Sequence, residues 1–228
     1  MSKIQIGFLL FPKLTQLDLT GPFEVFARLP DAEVHLAWRT QDPVVSDVGL
    51  AILPTCDFES CPPLDVICIP GGPGMNPLLN ETDVLDFVAT QGARAQYVTS
   101  VCTGALVLGA AGLLHGYRAA THWASMQFLE AFGAIPTDSR VCVDRNRITG
   151  GGVTAGIDFG LALAAELRGR EIAQRIQLYM EYDPSPPFSA GSPKTVEASI
   201  LSQFKTYAAP MIEERAAAVE QAAKRLQA

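Results

Sequence analysis

Between Ala95 and Leu114 the chain runs twenty residues without a charged side chain. That length is enough to span a bilayer. The segment must therefore be a membrane helix or the buried centre of a globule. Its composition favours the second. Gln96, Thr99, Ser100 and Thr103 are polar, three glycines follow, and the character changes midway. A β-branched first half and an Ala/Leu-rich second half predict a strand over 97–101, a turn at Cys102 and a helix over 103–114. A continuous apolar strand is buried on both faces, as in a parallel sheet.

The rest of the chain extends this pattern. Strands are expected over 3–11, 33–39 and 65–69, with a short hairpin over 44–53 and paired strands over 140–144 and 147–149. Asp18–Pro22 should open a helix, with Pro22 in its first turn. Helices follow over 81–91, 121–132 (capped by Thr121), 153–167 and 171–181. Strands alternating with helices predict an α/β fold with a mostly parallel sheet covered on both faces. In the tail, Val196, Ile200, Phe204, Tyr207 and Met211 are spaced for one helix face, and Pro210 should divide that helix. The expected organisation is one unit over 1–228, with a core of about 3–194 and a helical tail of about 195–228.

The net charge of −7, with no basic block longer than two residues, argues against a phosphate-backbone partner. Five cysteines, an odd number in a chain that is not Cys-dense, fit reduced thiols rather than a disulfide framework. No cleavage site follows the apolar start, so a cytoplasmic location without membrane attachment is expected.

Ligands of such sheets sit beyond the carboxyl ends of the strands. Cys102 lies there, where a buried strand turns sharply into a helix. That is the geometry of a nucleophile elbow, and a helix N-terminus should lower the thiol pKa. Cys68 and Cys142 lie inside strands, and Cys56 and Cys61 in a Pro-containing loop. Asp18 is the carboxylate placed to reach the site. Its neighbours Leu17 and Leu19 could raise its pKa, although an N-capping role would also account for it. The backbone N–H groups of Gly72 and Thr103 are candidates for an oxyanion site.

Other signals are weaker. His122 could approach the site. Cys56 and Cys61 lack a second pair for metal ligation. Gly150-x-Gly152-x-x-Ala155 matches a dinucleotide fingerprint as a string, but no second strand follows the helix. Gly150, Gly151, Gly152 and Val153 are read instead as the rim of the site.

Four motifs occur in a characteristic order: Gln16-Leu17-Asp18-Leu19-Thr20-Gly21-Pro22, Ile69-Pro70-Gly71-Gly72, Val101-Cys102-Thr103-Gly104 and Thr149-Gly150-Gly151-Gly152. In this order the sequence resembles the ThiJ/PfpI group of the class I glutamine-amidotransferase-like superfamily. Within that group it is most similar to the isocyanide hydratases, including the segment from Tyr182 to Pro193. The resemblance implies a flavodoxin-like three-layer sandwich, usually a homodimer, with no cofactor or metal and a small-molecule isocyanide substrate. It implies Cys102 as nucleophile, Asp18 as acid/base and Thr103 as a supporting hydrogen-bonder. Protease-like and chaperone-like members carry Glu where Asp18 stands, and the proteases carry His directly after the cysteine. Three alternatives stay open at this level: another cysteine-dependent enzyme of glyoxalase, deglycase or amidase type, a ligand sensor of the kind found in AraC-type regulators, or a redox sensor.

Overall fold

A computed structural model describes residues 3–227. The chain opens with β1 (Ile4–Leu9), α1 (Gln16–Phe26) and β2 (Ala32–Trp38), then the small hairpin β3 (Val44–Val45) and β4 (Ala51–Ile52), and the edge strand β5 (Cys56–Asp57). The buried strand β6 (Val66–Ile69) leads into α2 (Met75–Leu78) and α3 (Thr82–Arg94), and β7 (Tyr97–Val101) into α4 (Gly104–Ala110). Next come β8 (Arg118–Ala119), two 3-10 turns over Trp123–Phe128 and Glu130–Phe132, and β9 (Ile135–Pro136). The remainder is β10 (Val141–Asp144), β11 (Arg147–Gly150), α5 (Ala155–Arg168), α6 (Arg170–Tyr179) and α7 (Ala198–Gln227).

Seven strands form one sheet in the order β10-β11-β7-β6-β1-β2-β5. All its pairings are parallel except β10 with β11. The α1, α5 and α6 helices cover one face, and α3, α4 and α7 lie on the other. This is the flavodoxin-like α/β sandwich. From β1 the chain moves outward to β2 and β5, then returns to β6 on the other side of β1. The crevice at that reversal, beyond the carboxyl ends of β1, β6 and β7, is where such sheets bind ligands.

The uncharged stretch behaves as expected and fills the centre. In β7, Val98, Thr99, Ser100 and Val101 are buried, and every residue of α4 is buried. Among the described residues no helix is long and apolar enough to cross a membrane. The α4 helix stops at Ala110, short of the predicted 114, where Gly112 at φ 76° turns the chain.

Four local expectations are corrected. The first helix starts at Gln16, so Pro22 lies in its interior and Asp18 in its first turn, with Thr15 at the cap position. Pro22 has no N–H, so the Asp18 carbonyl loses the ladder bond it would accept from position 22. Second, residues 121–132 form 3-10 turns rather than an α-helix. The cap is made by His122, whose Nδ1 accepts from the Ala124 N–H at 3.3 Å. Third, Cys56 lies in a short edge strand, paired in parallel with β2, rather than in a loop. Fourth, α7 runs unbroken through Pro210, and its buried positions are Ala208, Arg215, Val219 and Ala222. The predicted face is largely exposed instead, with Tyr207 at 84%. The second half of the helix decides the docking, because its small residues allow close approach to α2, α4 and the 3-10 turns.

Candidate active site

Cys102 occupies the sharp turn between β7 and α4. Its φ is +55°, a left-handed conformation that costs a non-glycine residue about 1–2 kcal/mol. Hydrogen bonds hold it there. The Cys102 N–H donates to the carbonyls of Gly151 at 2.8 Å and Gly150 at 3.1 Å. The Cys102 carbonyl accepts from the Thr121 hydroxyl at 2.8 Å. Thr121 therefore fixes the elbow instead of capping a helix, a role that depends on a contact nineteen residues away.

The motifs on β1, β6 and β7 converge here. The Gly71 N–H donates to Asp18 Oδ2 at 3.0 Å. A Cβ on Gly71 would lie 2.6 Å from the Thr103 nitrogen and 2.8 Å from Asp18 Oδ2, so only glycine lets these loops meet. Asp18 is fully buried, and its Oδ1 makes no well-formed hydrogen bond to a protein group. The Asp18 carboxyl and the Cys102 thiol nevertheless interact, and each shifts the other's proton affinity. Burial pushes the Asp18 carboxyl up to about 7, against the opposing hydrogen bonds from Gly71 and Cys102.

The expected lowering of the Cys102 pKa does not occur. Burial, then the negative charge of Asp18, push the thiol well above its ordinary value. The Thr103 N–H at the start of α4 does oppose this, but a seven-residue helix cannot outweigh removal from water. The resting pair is thus a thiol beside a carboxylate that titrates near neutrality. Gly72 also differs from expectation. Its N–H donates to Thr103 Oγ1 at 3.1 Å, so it is engaged within the protein rather than free for an oxyanion.

Gly151, Gly152 and Val153 border a cleft of about 800 Å³ that Thr121 and His122 also line, whereas Gly150, expected at the rim, is buried as the last residue of β11. Cys102 itself is only 6% exposed. His122 thus lines the cleft, with its Nδ1 committed to the Ala124 N–H. The Gly150-x-Gly152 string does join β11 to α5, but α6 follows α5 with no strand between them. Among the described residues no three His, Cys, Asp or Glu side chains cluster as metal ligands would.

The comparison that decides the family is direct: residues 4–166 match the DJ-1/PfpI family. The chain belongs to the DJ-1/PfpI family. It is 55% identical to the isonitrile hydratase of Pseudomonas putida over 98% of both chains. It is 48% identical to a ThiJ/PfpI family protein from Pseudomonas syringae of known crystal structure. That match has a TM-score of 0.93 and covers 96% of this chain and 91% of the other. A third relative, the HTH-type transcriptional regulator GbdR of Pseudomonas aeruginosa, is 32% identical over 78% of this chain but only 50% of its own length.

The sequence motifs did not point to Arg215. This α7 side chain is 1% exposed and donates to Asn76 and Ser125, on elements that flank the site. The signal was available: an arginine on the same helix face as Ala208, Val219 and Ala222 must be buried if that face docks. Arg225 donates to the carbonyls of Leu79 and Ala110 at 3.1 Å each, tying the helix to the ends of α2 and α4.

Proposed function

We propose that this chain is an isocyanide (isonitrile) hydratase, converting R–N≡C to the N-substituted formamide, with Cys102 as nucleophile and Asp18 as acid/base. The observation that carries the reading is the buried Asp18–Cys102 pair. An isocyanide carbon needs a nucleophile and then a proton on the same atom. A thiol beside a carboxylate titrating near 7 supplies both. The near-full-length likeness to the Pseudomonas putida isonitrile hydratase supports the same chemistry.

The proposed cycle starts with Asp18 ionised. Its carboxylate takes the Cys102 proton as sulfur attacks the terminal carbon, and the new carboxylic acid delivers that proton to the carbon. The product is a covalent thioimidate, R–N=CH–S–Cys. Asp18, ionised again, takes a proton from water as the oxygen adds to the same carbon, and passes that proton to the nitrogen. Collapse of R–NH–CH(OH)–S–Cys expels sulfur, which regains a proton, and R–NH–CHO leaves. Splitting one difficult addition into two steps is the benefit of covalent catalysis. In this scheme no standing thiolate is needed, which fits a thiol whose pKa is raised. The Thr103 N–H faces the sulfur and supports negative charge as it develops. Thr103 Oγ1 holds the Gly72 backbone in place.

Incubation with an aryl isocyanide, read by NMR for the formamide and by intact-protein mass for a Cys102 adduct, tests the reading. Wild type should yield formamide and Cys102→Ala neither formamide nor adduct. Methylglyoxal consumption without formamide formation would move the chain to the glyoxalase or deglycase chemistry.

We also propose a homodimer formed through the first half of α7, with the 195–228 tail part of the same structural unit as the core. Exposed Ile200, Phe204 and Tyr207, with Phe204 packed on Trp123 at 5.3 Å between ring centroids, support this. Sedimentation of wild type and of Phe204→Glu should give dimer and monomer respectively. A monomeric wild type at micromolar concentration would remove the idea.

A further inference from the structure

Arg215 is the largest fully buried side chain in the core. It enters from α7 into the layer behind the elbow. Its Nε donates to Asn76 Oδ1 at 3.0 Å and its Nη1 to Ser125 Oγ at 2.7 Å. Asn76 belongs to α2, which continues the Pro70–Gly74 loop whose glycines touch Asp18 and Thr103. Ser125 belongs to the 3-10 turn that follows Thr121, the residue holding the Cys102 carbonyl. One guanidinium thus ties together both walls of the nucleophile turn.

Its charge is uncompensated. Among the described residues no carboxylate lies within salt-bridge distance of Arg215. Burying an unpaired cation is expensive, so a fold that does so needs a reason beyond stability. A neutral methionine or leucine would fill the same space at lower cost. The charged groups around the elbow are few. Cys102 feels Asp18 from α1 and Arg215 from α7, with opposite signs. Asp18 additionally feels Asp47. Arg215 in turn feels Cys102 and Glu214, and its field also depresses His122. Among the described residues Arg215 is therefore the cation felt at the thiol.

We propose that Arg215 is a positioning residue for the Cys102 chemistry: it fixes the two walls of the elbow through Asn76 and Ser125, and its buried positive charge favours the departure of the thiol proton. This rests on the reading of Cys102 as the nucleophile. During attack the proton passes from sulfur to Asp18 and negative charge moves the other way, onto the sulfur, where a fixed cation lowers the cost without touching the substrate. The Asn76 amide has its orientation set by the same contact, because its oxygen accepts from Arg215.

The test is the rate of Cys102 alkylation by iodoacetamide against pH, read by peptide mass, with isocyanide turnover measured in parallel. Arg215→Met should move the alkylation midpoint up by about one pH unit, or about tenfold in rate at fixed lower pH. It should lower kcat more than it changes KM. Arg215→Lys, which keeps the charge, should stay near the wild-type midpoint. Should Arg215→Met fail to fold, Asn76→Asp decides the matter. It keeps the packing but neutralises the guanidinium, and should move the midpoint in the same direction. An unmoved midpoint in Asn76→Asp, or in a folded Arg215→Met, overturns the proposal, as does an Arg215→Lys that falls as far as Arg215→Met. Alkylation needs no isocyanide. A wild type that fails to make formamide would therefore end the hydratase reading while leaving the Arg215 result decisive.

Discussion

Cys68 lies in β6 and Cys102 just past the end of the neighbouring strand β7, and both are buried. Burial pushes the Cys68 thiol up to about 12 and raises Cys102 as well. The charge of Asp18 is felt at both, in the same direction. Resting acidity therefore does not separate them. What separates them is surroundings. Cys68 sits inside β6, paired with strands on both sides, with the Thr99 hydroxyl beside it. Cys102 sits past the end of β7 at a positive φ, next to a carboxylate able to change protonation near pH 7. For a buried thiol, a partner that can take the proton at the moment of attack counts for more than a thiolate held in advance.

That contrast can be broken by experiment, and the largest effect comes first. Cys102→Ala should lower isocyanide turnover by at least about 10³-fold, the scale of losing a nucleophile. Cys68→Ala should leave turnover nearly unchanged, and comparable losses in both would erase the distinction. Asp18→Asn should lower kcat by about 10²–10⁴-fold, as expected for removing a general acid–base, measured by formamide release under saturating substrate.

The pH dependence sharpens the role of Asp18. Because the carboxylate must accept the thiol proton, kcat/KM should fall by about tenfold per unit as pH drops below about 7. A flat profile from pH 5 to 8 would contradict it. Stability should move the opposite way. The Asp18 pKa is raised on folding from 3.8 to about 7, so the native state holds a proton that the unfolded chain has released. This group's contribution is complete below about pH 4 and is lost as pH rises to about 7. Asp18→Asn should therefore be more stable than wild type at pH 8, by a few kcal/mol at most, and equal to it near pH 4. Urea melts at the two pH values check both signs.

Smaller effects belong to the supporting groups. Thr103→Val leaves the Gly72 N–H without its acceptor and should cost about 1–3 kcal/mol. Cys68→Ala should cost about 1–2 kcal/mol through its small cavity. Both are read as shifts in denaturant midpoint.

Much of this arrangement was legible beforehand. The uncharged stretch around Cys102 predicted strand, turn and helix, and alternation elsewhere predicted the parallel sheet. Ordered motifs at the strand ends marked Asp18, Gly71 and Cys102 as neighbours, because doubly wound sheets bring such ends together. Less legible were the starting point of α1, which moved Asp18 from a cap to a first-turn position, and the docking face of α7. A proline in a tail reads as a break, and apolar residues read as the buried face, when only local spacing is available.

The sequence by itself determined the element order, the sheet class and the elbow, because hydrophobic period and turn chemistry act over a few residues. Only the tertiary structure decided the protonation of the site. The Gly71–Asp18 contact spans 53 residues, and Arg215 reaches Asn76 across 139 and Ser125 across 90. Desolvation and charge depend on which distant groups exclude water together, and no local pattern encodes that.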